Sequence, residues 1–218
     1  MNKAQIQWFQ EVDMRAALVL CDLRIDCLDK EQAKAVLASV GERQFGGKDF
    51  VFERIAPVPD DWQSDLCKTL SLGADFDKSK LTIRDWRRLN WGVATRCGES
   101  SLSVSKDNPC CVRGWFYSDV SVPVALLCRL SERFPDATVV VDANYGSSGE
   151  SPDTRHVFEK GRCANIFEFR MVWEDEEGNT YRNWEDAPEE VRASGELRSV
   201  RDEHLLRSCM SESEKTQE

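Results

Sequence analysis

Residues 116–146 read FYSDVSVPVALLCRLSERFPDATVVVDANYG, and the order of their parts decides the fold class. Val124, Leu127, Leu130 and Phe134 recur at helical spacing behind Pro123, whose fixed φ suits an early helical position. Pro135-Asp136 then turns the chain, and Thr138–Asn144 is a β-branched run that reads as a strand. Upstream, 100–105 and 111–117 read as two strands around the turn Lys106-Asp107-Asn108-Pro109. A hairpin, a helix and a strand in that order predict an α+β layout.

The first third reads as β-α-β followed by a helical connection, with no internal repeat at a fixed period. Residues 15–24, RAALVLCDLR, predict a buried strand. Asp29 with Gln32 three residues on has the form of a capping box. Ala33, Val36, Leu37 and Val40 then mark a helix that Gly41 can end. Phe50 and Phe52 alternate, so 49–55 predicts a strand stopped by Pro57 and Pro59. Asp60 or Asp61 can cap a short helix whose face is Trp62, Leu66 and Leu70. Residues 72–80 read as a loop. Thr82 and Asp85 are a second capping pair, opening a helix through Arg88 that delivers the chain to Asn90-Trp91-Gly92, with Trp91 starting the next strand.

After residue 146 a Gly/Ser-rich loop is expected through 163. The run 165–174, NIFEFRMVWE, is the best strand in the chain, with Phe167, Phe169, Met171 and Trp173 facing one way. EDEEGN turns it into TYRNW as a hairpin, and a polar helix is expected from about Ser194 to Ser208, with a disordered end. Two regions follow from this: a core at 1–173 with a helical insertion at about 60–90, and an acidic hairpin, helix and tail at 174–218.

The 218 residues are 41% hydrophobic, enough for one large domain or two small ones with a real core. The longest apolar run is strand-length, and the start, MNKAQIQWFQEVD, has no apolar core behind its lysine. Neither a membrane span nor a secretory signal is expected, which predicts a cytoplasmic protein. Nine scattered cysteines without a CxxC pair read as reduced, small apolar residues. The net charge of −10 argues against direct binding to a nucleic-acid backbone. That charge is uneven: from Glu174 onward there are 14 acidic and 6 basic residues, so this segment carries −8.

The candidate chemical motifs are weak. Residues 41–49, GERQFGGKD, miss phosphate-loop spacing because Glu42 stands where glycine is required, and they read as a loop after a helix. Residues 144–151, NYGSSGES, lack a following helix to close a phosphate nest and do not form a GxSxG elbow. Cys110 and Cys111 are adjacent and would point to opposite faces of a strand, and His156 with Cys163 lacks the spacing of a zinc site. Cys97 beside Arg96 could be an activated thiol with His156 as its base; the competing reading is a half-buried thiol at a strand end. Asp119 and Asp142 could work as an acid/base pair only if they share a cleft. No catalytic set, metal or cofactor is therefore expected.

The acidic segment is the most distinctive. Trp173, Tyr181 and Trp184 stand among Glu174, Asp175, Glu176, Glu177, Glu185 and Asp186, with Glu189 and Glu190 following. Aromatic anchors among carboxylates suit a basic protein surface, where charge speeds encounter. The alternative is a solvated hairpin edge whose charges block strand pairing.

A spaced pattern across 15–145 resembles the YubB ferredoxin-like family of plasmid and phage proteins. It is carried by Phe50, Phe52, Pro57, Pro59, Asn90, Trp91, Gly92, Pro123, Phe134, Pro135 and Asp136. The chain departs from that family at Val93-Ala94-Thr95, where Thr-Lys-Trp is common, and in the aromatic before the helix proline. The resemblance implies a ferredoxin-like core with helices on one face of a mostly antiparallel sheet, and a home on a mobile element in a bacterial host. It implies no enzyme activity. The leading expectation is thus a non-enzymatic phage or plasmid protein. It would bind a host protein or ribonucleoprotein with a basic surface, as an anti-defence inhibitor of the anti-CRISPR kind. The alternatives are an enzyme using Cys97 on a small substrate and a module binding single-stranded nucleic acid on its sheet face. The exposed hairpin edge also leaves a homodimer open.

Overall fold

The computed structural model describes residues 18–44, 47–72, 76–95, 99–145, 152–182, 184–194 and 197–208. The chain runs β1 (Leu18–Asp26), α1 (Lys30–Val40), β2 (Gly41–Gln44), β3 (Gly47–Phe50), α2 (Phe52–Ile55), α3 (Trp62–Thr69), a 3-10 turn at Lys78–Lys80 and α4 (Ile83–Trp91). Then come β4 (Ser100–Val104), β5 (Cys111–Asp119), α5 (Val124–Arg133), β6 (Thr138–Asn144), β7 (Thr154–Glu159) and β8 (Arg162–Glu174). The last elements are β9 (Thr180–Tyr181), a 3-10 turn at Trp184–Asp186, α6 (Glu189–Ser194) and β10 (Arg198–Ser208). The strands form one sheet in the order β10-β8-β7-β6-β1-β5-β4-β3-β2, with β9 added to β8. Every pairing is antiparallel. The fold is α+β, as the element order predicts.

Alternation along β1 sets the two faces. Val19, Cys21, Leu23 and Ile25 are buried, while Leu18, Asp22 and Arg24 are exposed. The buried set meets α1 through Ala33, Val36 and Val40, and α5 through Leu126, Leu127 and Leu130, in one continuous core. Helix α1 begins as its capping pattern predicts: the Asp29 carboxylate accepts from the Gln32 N–H at 2.7 Å, while Gln32 Oε1 accepts from the Leu28 N–H. Helix α4 begins with a complete capping box, Thr82 and Asp85 each accepting from the other's backbone N–H.

Five segments differ from their sequence readings. The predicted strand 49–55 is β3 followed by one helical turn, because Phe52 and Ile55 are both buried, and an i, i+3 pair shares a side on a helix but not on a strand. Residues 41–44 and 47–49, expected to be loop, are strands β2 and β3, in which Gly41 pairs with Phe50. Helix α4 runs past Arg88 through Trp91, so Trp91 ends a helix instead of starting a strand. Gly92 caps it in the left-handed region at φ 87°, and a Cβ there would lie 3.0 Å from the Val124 backbone nitrogen.

The other two differences lie in the C-terminal half. Most of the expected loop 146–163 that falls in the described residues is β7 and the start of β8. The expected polar helix 194–208 is instead β10, paired along β8 from Arg198–Glu174 to Ser208–Asn165 with one bulge. The open edge of β8 offers a ladder of backbone donors and acceptors, and that pairing overrides the local preference of a charged segment. The helical turn α6 that precedes it ends at Ser194.

The residues between the strands of the first half form an aromatic knot. Phe52 meets Trp91 edge-on at 5.6 Å, Trp91 meets Trp86 at 6.1 Å, and Phe50 lies against both Phe52 and Phe116. The indole N–H of Trp91 donates to the Ala56 carbonyl at 2.9 Å, and that of Trp86 to Asp65 at 2.7 Å. Both rings are thus buried without an orphaned donor.

Candidate functional site

The acidic hairpin is built by the long strand β8 and its return, β9. Register places Trp173 opposite Tyr181 and Glu174 opposite Thr180, the hairpin that EDEEGN predicts. Gly178 takes φ 81° at the turn, a conformation that favours glycine. The carboxylates divide into two kinds. Asp175 is only 3% exposed. It accepts from the Asn179 backbone N–H at 2.8 Å, from Asn179 Nδ2 at 3.0 Å and from the Tyr181 hydroxyl at 2.8 Å. These bonds, led by the Asn179 side chain, hold its carboxyl below the usual range, and the same contact pushes the Tyr181 phenol up. Glu176, Glu177, Glu185 and Asp186 are exposed and Glu174 is half-buried.

The aromatic residues of the segment come together. Trp184, on the 3-10 turn, meets Trp173 edge-on at 5.3 Å and stays 36% exposed. Ala187 is buried behind it. Eight of the nine residues singled out in the sequence thus lie on the hairpin or on the 3-10 turn that packs against it through Trp184. The ninth, Asp175, is a structural keystone and is not available to a partner.

The other sequence candidates disperse. Cys97 and Arg96 fall outside the described residues, as does the glycine-rich run 146–151. Asp119 and Asp142 do not share a cleft: β1 runs between their strands, and Asp142 is held by Arg155 in a two-point ion pair at 2.7 and 2.9 Å. His156 lies on β7 opposite Ile166, whereas Cys163 lies opposite Phe158, so the two do not converge. His156 is buried and stacked on Phe158, its Nε2 is 3.1 Å from Thr154 Oγ1, and burial pushes its pKa down, with Asp142 opposing. Among the described residues no group of three or more His, Cys, Asp or Glu could hold a metal ion. No helix among them is long and apolar enough to cross a membrane.

One cluster escaped the sequence reading. On the sheet face opposite the helices, Arg113, Trp115 and Tyr117 follow one another at alternate positions of β5, with Trp115 and Tyr117 edge-on at 5.7 Å. Their period-two alternation was the available signal, masked by the neighbouring Phe116, which is buried on the other face.

Comparison with known proteins gave no matching family model, no matching characterised protein and no matching solved structure.

Proposed function

We propose that this chain is a non-enzymatic protein of a phage or plasmid that docks on a basic surface of a host protein or ribonucleoprotein in the bacterial cytoplasm, an anti-defence role of the anti-CRISPR kind. The observation that carries the docking element is Asp175. By accepting three hydrogen bonds it fixes a turn that leaves Glu176 and Glu177 exposed, next to the Trp173–Trp184 pair, with Glu185 and Asp186 exposed beside Trp184 in sequence. A rigid turn loses little conformational freedom on binding, so its charges and its exposed indole are presented ready-made. Charge then sets association rate and partner choice, and the aromatic pair supplies the buried anchor.

The ferredoxin-like part of this reading draws support from two features. The strands β6-β1-β5-β4 stand side by side in that order, with α1 following β1 and α5 joining β5 to β6. Phe50, Phe52, Trp91, Gly92 and Pro123, which carry the YubB resemblance, gather in and around the aromatic knot. The direct test is association with captured basic proteins, comparing the unmodified chain with one in which Glu176, Glu177, Glu185 and Asp186 are changed to their amides. Slower association with a flatter salt dependence supports the reading; unchanged association removes it.

A further inference from the structure

We infer that the uncovered face of the sheet is a stacking platform for single-stranded nucleic acid, centred on Trp115 and Tyr117 and flanked by Arg24 and Arg113. The register defines three rows across β5 and β1: Arg113 opposite Arg24, Trp115 opposite Asp22, and Tyr117 opposite Leu20. Trp115 and Tyr117 are both half-buried, with one residue between them on the strand and their ring centroids 5.7 Å apart. That spacing lets successive bases of an extended strand each meet an aromatic side chain. The run Arg113-Gly114-Trp115-Phe116-Tyr117 has the cation-glycine-aromatic-x-aromatic order with which RNA-recognition sheets present stacking rings. Gly114 cannot carry a side chain: a Cβ there would lie 1.9 Å from the Ser101 carbonyl oxygen, so the close approach of β4 fixes it.

The arginines point to an anion. Both are exposed and stand directly opposite each other on one sheet face, with Asp26 ion-paired to Arg24 at 3.0 Å. A backbone phosphate placed between them would accept charge-assisted hydrogen bonds from both guanidinium groups. Asp142, on the neighbouring strand, is bound by Arg155. Asp22, exposed beside Trp115, is an acceptor for base amino groups. The chain's negative charge does not exclude this partner, because −8 of the −10 lies from Glu174 onward.

The test is fluorescence anisotropy of labelled ten-nucleotide single strands, DNA and RNA in separate arms, with a duplex of the same sequence, titrated with the full chain at low salt. Binding of one or both single strands in preference to the duplex is expected, and the two arms decide which sugar is used. Tyr117→Ala should weaken it about tenfold or more. Arg113→Glu should abolish most binding, since it removes one of the two cations and adds a carboxylate beside Asp22 and Asp26. The amide variant of the acidic turn should bind the oligonucleotides as the unmodified chain does, which separates this platform from the hairpin. No single-strand binding by the unmodified chain, or affinity unchanged by Arg113→Glu, overturns the inference.

Discussion

Arg24 and Arg113 stand directly opposite each other on β1 and β5, in the open on the face that the helices leave uncovered. Asp26 accepts from Arg24 at 3.0 Å and Asp22 is exposed on the same face, so carboxylates offset the opposition. Arg113→Glu gains Arg24 as an opposite charge but meets Asp22 and Asp26 diagonally across, and is expected to change the stability of the unliganded fold by less than about 1 kcal/mol. Urea unfolding of both chains measures it, and a larger shift in midpoint contradicts this balance of charge.

Asp175 organises the acidic turn, and its carboxyl is held below the usual range. A group with a depressed folded pKa contributes stability above its unfolded value of 3.8, which is lost as pH falls through the folded value. The turn should thus keep its order at neutral pH and open in acid. In Asp175→Ala the Asn179 amide should exchange with solvent much faster at neutral pH, which amide hydrogen exchange reads directly. Equal exchange rates in the two chains count against the keystone role.

His156 gives a second pH signature in a different window. Burial lowers its folded pKa from 6.5, so the unfolded chain binds the extra proton first. Its contribution is full above about pH 6.5 and is lost as pH falls through the folded value, at no more than about 1.4 kcal/mol per pH unit. Stability measured from pH 7.5 to 5.5 should decline, and His156→Leu should flatten the decline. A slope that survives the substitution assigns it to other groups.

The aromatic knot is where the first half of the chain is most sensitive. Trp91 is fully buried, touches Phe52 and Trp86, and donates to Ala56. Trp91→Ala should cost about 3–5 kcal/mol through the cavity it leaves. Trp91→Phe keeps most of the volume and should cost less, although it orphans the Ala56 carbonyl. Similar midpoints for both variants would mean that the lost hydrogen bond, and not the lost ring volume, sets the cost.

Cys27 carries the clearest thiol prediction. Burial first, then nearby thiols and carboxylates, pushes it up to about 11. Little thiolate exists at neutral pH, so alkylation of Cys27 should be slow until the chain unfolds. Rapid labelling of Cys27 in the folded protein contradicts that environment.

What the sequence revealed follows from which interactions are local. The capping pairs Asp29–Gln32 and Thr82–Asp85 were legible because donor and acceptor lie three residues apart. Helix α5 and strand β6 were legible from periodicity and a proline. Strand β10 was not, because its conformation comes from the edge of β8 across a loop, not from its own charged residues. The helical turn at Phe52 was not, because strand alternation at Phe50 and Phe52 matches the pattern up to the point where Ile55 must also turn inward. In the acidic hairpin the cluster was legible, but composition gave all its carboxylates one role. Only the fold separates Asp175, which holds Asn179 and Tyr181, from its exposed neighbours.

The most direct test of docking through the acidic turn is a quantitative pull-down from bacterial lysate at low salt, followed by a salt wash. The full chain is compared with its Glu176, Glu177, Glu185 and Asp186 amide variant and with Trp184→Ala. The unmodified chain is expected to retain basic nucleic-acid-handling proteins released by salt, and both variants are expected to lose the same proteins. Retention of one unchanged set of proteins by all three chains would contradict it.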